Sequence, residues 1–223
     1  MKQINKYICD HFENDKFSIL GHLEYHKFSI YERLHINKDI KSYNYHPKTR
    51  DELKELVDKL IKERGNEADL NDIDTSKITD MDSIFEGSNF NGDISTWNVS
   101  NVTDMTGMFR KSKFNGDISG WDVSNVKYMG HMFSGSSFTG ENGDLSDWDV
   151  RNVQYMHYMF FRSSFNGDIS NWNVSNVKTM NYMFCNSKFN GDISKWNVSN
   201  VTNMESMLNG TPLQKNPPKW YKY

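Results

Sequence analysis

Apolar side chains in this chain fall in columns rather than in runs. From Phe90 to Phe109 the sequence reads FNGDISTWNVSNVTDMTGMF, and nearly the same string returns four more times before the C-terminus. Trp97, Trp121, Trp148, Trp172, Trp196 and Trp220 follow one another at intervals of 24, 27, 24, 24 and 24 residues. The long interval reflects a three-residue insertion around Thr139 to Glu141, where FTGENGDLS replaces FNGDIS. Eleven of the twelve methionines belong to the same register. A self-similar period of this length predicts a solenoid, because no single unit can bury its apolar face without its neighbours. Within a unit, Met105, Met108 and Phe109 are spaced i, i+3, i+4 and predict a short helical turn. Asn91-Gly92 is a turn signal, and Asp93 to Trp97 reads as a short extended segment. The expected fold is therefore an α/β repeat solenoid with one short strand and one short helix per coil of about 24 residues. The columns headed by Phe90, Ile94 and Val102 become its apolar ladders, each fully buried side chain contributing roughly 1.5–3 kcal/mol.

Before the array, Thr49 can cap a helix whose first turn holds Asp51 and Glu52, suiting the positive end of the helix dipole. Leu53, Leu56, Val57, Leu60 and Ile61 form its apolar stripe, and Gly65 ends it. Such a one-sided helix suits the uncovered end of a stack, so residues 45–65 are expected to be an N-terminal cap. The first coil is degenerate, with Leu70, Ile73, Ile78, Met81, Ile84 and Phe85 in the repeat's apolar places. At the other end Pro217-Pro218 replaces Ile-Ser of GDIS and removes backbone donors. Residues 66–223 are thus read as about six coils with a C-terminal cap. Residues 1–44 show no such register and are assigned to a small head of undefined fold.

Composition and charge narrow the function classes. The hydrophobic share, 36%, is low for a compact globule but suits an array whose outer face stays wet. Cys9 and Cys185 are too far apart for a zinc spacing or a disulfide framework. No segment reaches membrane-spanning length and the charged N-terminus lacks a signal-peptide core, so a cytoplasmic setting is expected for the sequence as it stands. Residues 66–212 carry 18 acidic and 10 basic residues. That balance argues against direct binding of a nucleic-acid backbone, which needs clustered cations.

These residues resemble the leucine-rich-repeat-like repeats of BspA-type bacterial surface proteins, including a Mycoplasma-type repeat whose consensus runs close to F-N-x-D-I-S-x-W-[DN]-V-S-N-V-T-x-M-x-x-M-F. The resemblance spans Asp69 to about Trp220, and YHPKTRDELKELVDKLIKERG is similar to the segment that introduces such arrays. It implies a curved solenoid used for adhesion or protein binding, without catalysis and without cofactors. Surface relatives carry export signals or anchors, and the sequence shows neither.

Candidate chemistry is sparse. The Trp column reads as packing rather than as sugar platforms. Asp93, Asp117, Asp144, Asp168 and Asp192 form a column that could offer oxygen to Ca²⁺ but more simply accepts turn N–H groups. Asn101, Asn125, Asn152, Asn176 and Asn200 read as a hydrogen-bond ladder. In the head, His22 and His26 flank Glu24 without the order of a zinc protease, and His11 and His35 add no ligand spacing. No nucleophile elbow or phosphate loop stands out, so no enzyme is expected. What the repeat leaves free is more telling. One column runs Ser83, Gly107, His131, Tyr158, Tyr182, Ser206; another runs Asp80, Asp104, Tyr128, Tyr155, Thr179, Asn203. His157 and Phe161 join the aromatics of the middle coils. Tyr128, His131, Tyr155, His157, Tyr158, Phe161 and Tyr182 are expected to face solvent as an interface hot spot for a protein partner, or else to extend the packing. A surface adhesin is one alternative, and an intracellular inhibitor of mobile-element origin that holds a basic protein against the acidic array is another.

Overall fold

The structure, a computed structural model, describes residues 43–222. The proposed head, with its histidines and Cys9, lies outside the described residues, and Tyr43–Tyr223 forms one compact unit. Its single α-helix among the described residues, α1, spans Arg50–Arg64. Thr49 accepts the Glu52 N–H at 3.2 Å while Glu52 accepts the Lys48 N–H at 2.7 Å. That reciprocal pair satisfies donors no helical turn can reach. At the other end the Gly65 N–H closes on the Ile61 carbonyl, with φ of 93° that suits a residue lacking Cβ. Leu53, Val57 and Leu60 are buried in the common core. Arg50 donates to the Asp82 carbonyl at 2.9 Å, and Arg64 makes a two-pronged pair with Asp72, so α1 is tied to the first repeat at both ends.

From Asp80 onward each repeat is hydrogen-bonded to the next by one recurring scheme. The N–H groups of Met105, Gly107, Phe109 and Lys111 donate to the carbonyls of Tyr128, Gly130, Met132 and Ser134. Between them, those of Met108, Arg110 and Ser112 close on carbonyls three residues back. The same alternation recurs from Met81, Met129, Met156 and Met180. Single parallel bridges link Asp80, Asp104, Tyr128, Tyr155, Thr179 and Asn203 in sequence.

This scheme corrects the local expectation. Met105 to Phe109 forms successive tight turns, not a helical turn. Every second N–H is used between repeats, leaving none for an i→i−4 ladder. Gly107 and its counterparts also take positive φ, from 52° at Ser206 to 62°, which a right-handed helix excludes. The extended run expected over Asp93 to Trp97 is likewise short of a strand: Asp93 bridges Asp69, and the Trp97 N–H turns back to Ile94.

The core is a set of aligned side chains. Phe85, Phe109, Phe133, Phe160 and Phe184 stack with centroids 5.5–5.6 Å apart, and Phe90, Phe114, Phe138, Phe165 and Phe189 make a parallel row. The tryptophans from Trp97 to Trp196 are buried, and each indole N–H donates to a carbonyl of the preceding repeat, from Trp97 to Leu70 at 3.0 Å through Trp196 to Ile169 at 3.1 Å. Rings so placed are packing and not sugar platforms. Val198, Val201 and Met204 in the last repeat are only partly covered.

Candidate functional site

The middle repeats bring all seven singled-out residues together on the outer side of the tight-turn segment. Tyr128 stacks on Tyr155 at 5.2 Å with planes 5° apart. His131, Tyr158 and Tyr182 form a second row at 4.7 and 4.8 Å, with planes within 10°. His157 meets His131 and Tyr158 edge-on, and Phe161 meets Tyr158 edge-on at 5.4 Å. Tyr182 extends the row to the next repeat by donating its hydroxyl to Glu205 at 2.9 Å. Tyr128 is 41% exposed, whereas His131, Tyr155, His157, Tyr158, Phe161 and Tyr182 are half-buried because they cover one another's faces. Edges and hydroxyls remain on the surface.

The backbone beneath the second row explains why these rings are informative. His131, Tyr158 and Tyr182 sit at φ of 58°, 55° and 56°. A non-glycine residue there costs about 1–2 kcal/mol, and the equivalent position one repeat earlier is Gly107. Stacking between the rings, about 0.5–1.5 kcal/mol per pair, offsets that penalty. His157 has its own accommodation: a Cβ at Gly130 would lie 2.6 Å from the imidazole, so only glycine leaves room for the ring.

Electrostatics at the wall follow from partial burial. It lowers the His131 pKa below its ordinary 6.5, an effect reinforced by His157 and Arg110 and opposed by Glu86. His157 is lowered by burial alone. Both imidazoles therefore favour the neutral form that stacks and accepts hydrogen bonds. The surrounding cations were missed in the sequence. Lys178 lies 5.9 Å from the Tyr155 ring centre and Arg162 lies 5.0 Å from that of Phe161. Their signal was present in the register, but a charge sum over the whole array conceals it.

With the repeat geometry in place, comparison with known proteins gives a definite relation. The family described as Mycoplasma protein of unknown function, DUF285, matches residues 51–162 and 136–221, together well over half of the 223 residues. The chain belongs to this family. No curated protein and no solved structure matches it.

In this member of the DUF285 family the remaining candidate sites are occupied by structural duties. The carboxylates of Asp93, Asp117, Asp144, Asp168 and Asp192 each accept the N–H two residues on, at 2.8–2.9 Å. Those bonds hold the Asp168 and Asp192 pKa values below the usual carboxylate range. Among the described residues no three His, Cys, Asp or Glu side chains converge on a metal position. Asn101, Asn125, Asn152, Asn176 and Asn200 donate to the preceding repeat at 2.7–2.9 Å. Cys185 is buried, which raises its thiol pKa. The insertion opens a shallow cleft lined by Thr139, Glu141, Ser164, Asn166 and Lys188. No described helix is long and apolar enough to cross a membrane.

Proposed function

We propose that this DUF285 chain is a non-catalytic interaction protein: an α/β leucine-rich-repeat-like solenoid that binds a protein partner through the aromatic wall of its middle repeats. The observation that carries the reading is the row His131–Tyr158–Tyr182, in which aromatic residues occupy left-handed backbone positions that glycine or serine fills elsewhere. Stacking between the rings, about 0.5–1.5 kcal/mol per pair, offsets the backbone penalty, and aromatic side chains concentrated at one place on a rigid scaffold are the usual composition of an interface hot spot. The recurring inter-repeat hydrogen bonds and stacked core support the solenoid, and the turn geometry replaces the helical turn of the sequence expectation.

The test compares capture of partners from native lysate by the full chain and by its Tyr155→Ala/Tyr158→Ala/Phe161→Ala variant. The reading expects a partner retained by the first and lost by the second. Because the rings stack on one another, the variant melts a few degrees lower and stays folded. Undiminished capture refutes the assignment. The BspA-type resemblance adds surface adhesion as the setting; recovery of the native protein in the cytosolic fraction alone removes that alternative.

A further inference from the structure

Charge on the array is segregated by column. In the three middle repeats the tight-turn wall comprises residues 127–137, 154–164 and 178–188, and it contains no Asp or Glu at all. It carries Lys127, Arg162, Lys178 and Lys188, all exposed, and none forms an ion pair among the described residues. The acidic side chains of the same repeats lie in other columns: Asp144, Asp168 and Asp192 close the GDIS turns, Asp122 and Asp149 the turns that follow the tryptophans, and Glu141 belongs to the insertion. Carboxylates reappear on the wall only beyond the aromatic part: Asp80, Asp82, Glu86 and Asp104 toward the N-terminus, Glu205 toward the C-terminus. An array with a net negative charge thus presents a cationic, aromatic strip that continues through Arg110, Lys111 and Lys113 of the preceding repeat and gives way to acidic side chains only at Asp80, Asp82, Glu86 and Asp104 and at Glu205.

Resting on the interface reading above, we infer that the partner's docking segment is an acidic polypeptide stretch. Its carboxylates would pair with Lys127, Arg162 and Lys178, and its apolar side chains would lie against the ring edges of Tyr155 and Tyr158. Charge complementarity selects an anionic partner. The ring geometry selects polypeptide over single-stranded nucleic acid. Bases bind such strips by stacking on open aromatic faces. Here the facing surfaces within each row are already closed by ring–ring stacking at 4.7–5.2 Å with planes within 10°. Ring edges, hydroxyls and long cationic side chains remain, which suits carboxylates and aliphatic groups. Lys188 stands at the margin of the strip, in the cleft whose one carboxylate is Glu141.

The full chain is titrated by fluorescence anisotropy with a labelled peptide of about a dozen residues in which Glu alternates with Leu and Tyr. The comparison probes are the same peptide with Gln for Glu and a single-stranded DNA oligonucleotide of similar length. The expected result is at least tenfold tighter binding of the acidic peptide than of either comparison probe, weakening as salt is raised. The Lys127→Glu/Arg162→Glu/Lys178→Glu variant loses that preference, whereas Lys195→Glu, beside Asp192 in the GDIS turn, keeps it. The milder Lys127→Gln/Arg162→Gln/Lys178→Gln variant serves if charge reversal perturbs folding. Equal binding of the Gln peptide, tighter binding of the DNA, or a preference that survives the charge variants overturns the inference. The triple ring variant separates the two levels. If it loses the captured native partner while the charge-reversed chain retains it, the acidic-segment inference falls and the interface stands; if both retain it, the interface falls as well.

Discussion

Replacing Tyr158 by glycine and, separately, by alanine isolates the backbone conformation on which the aromatic wall rests. Both substitutions remove the ring that lies between His131 at 4.7 Å and Tyr182 at 4.8 Å. Loss of those two stacks costs about 0.5–1.5 kcal/mol each, and the loss is common to both variants. They differ in the backbone. At φ of 55° alanine retains the left-handed penalty of about 1–2 kcal/mol, whereas glycine relieves it. Glycine in turn loosens the unfolded chain, which offsets about 0.4–1 kcal/mol of that relief. The glycine variant should therefore be the more stable, by about 0.8 kcal/mol at the centre of these ranges, the reverse of the order in an ordinary helix or strand, where glycine is the worse by a similar amount. For a chain of this size that corresponds to roughly 1–4 °C in melting temperature. Urea titrations followed by Trp fluorescence and by circular dichroism in parallel check it, since coincident transitions are needed before midpoints are converted to free energies. An alanine variant as stable as the glycine variant would refute the left-handed assignment at Tyr158. With it would go the argument that the ring is held there against backbone preference.

Two further outcomes follow from the surroundings of the wall and the core. His131 and His157 have folded-state pKa values below 6.5, so the unfolded chain binds more protons as acidity increases. Their stabilising contribution is complete above pH 6.5 and is lost as pH falls through that value toward the folded-state pKa values. Denaturation midpoints should decline between pH 7 and 5, and His131→Gln/His157→Gln should flatten that decline without altering the separate loss below about pH 4 that comes from carboxylates such as Asp72 and Asp74. Trp148→Phe keeps a large ring but leaves the Ile118 carbonyl without its 3.1 Å indole donor, and should cost about 1–3 kcal/mol in equilibrium unfolding. A neutral result would mean that water or a shifted backbone takes the donor's place.

Much of the architecture was legible because it is written in columns. Up to the last repeat, the Trp, Phe, Val and Met registers correspond to side chains that the structure buries almost completely, and Thr49 and Gly65 mark the ends of α1. The local conformation at Met105-Met108-Phe109 was not legible. Spacing of i, i+3, i+4 reports which side chains point inward, and two consecutive tight turns satisfy it as well as a helical turn does. The sign of φ leaves no trace in hydrophobicity. Its faint signature lay in Gly107 sharing a column with Ser83 and Ser206, and the tyrosines in the same column concealed it. At the wall, the seven aromatic and histidine positions stood out because the repeat did not dictate them. Packing and display are not exclusive there, for the rings pack on one another and still present their edges. The cations escaped notice for a different reason: Asp168 and Arg162 cancel in a sum although the fold places them in different columns.

The tryptophan hydrogen bonds all run back along the array, against the forward-donating backbone ladder. Trp97 reaches back to Leu70, Trp121 to Ile94, Trp148 to Ile118 and so on to Trp220 and Ile193, and Asn101 and its counterparts likewise reach back. As the chain leaves the ribosome, each new repeat therefore meets acceptors already set in place by the one before, beginning from α1 and the first repeat. A chain interrupted at a repeat boundary keeps the acceptor for every indole it contains. One lacking its beginning presents a first tryptophan without its acceptor, whereas one lacking its end leaves the forward-reaching N–H groups of its last tight-turn segment without theirs, so each boundary is held by bonds that run both ways.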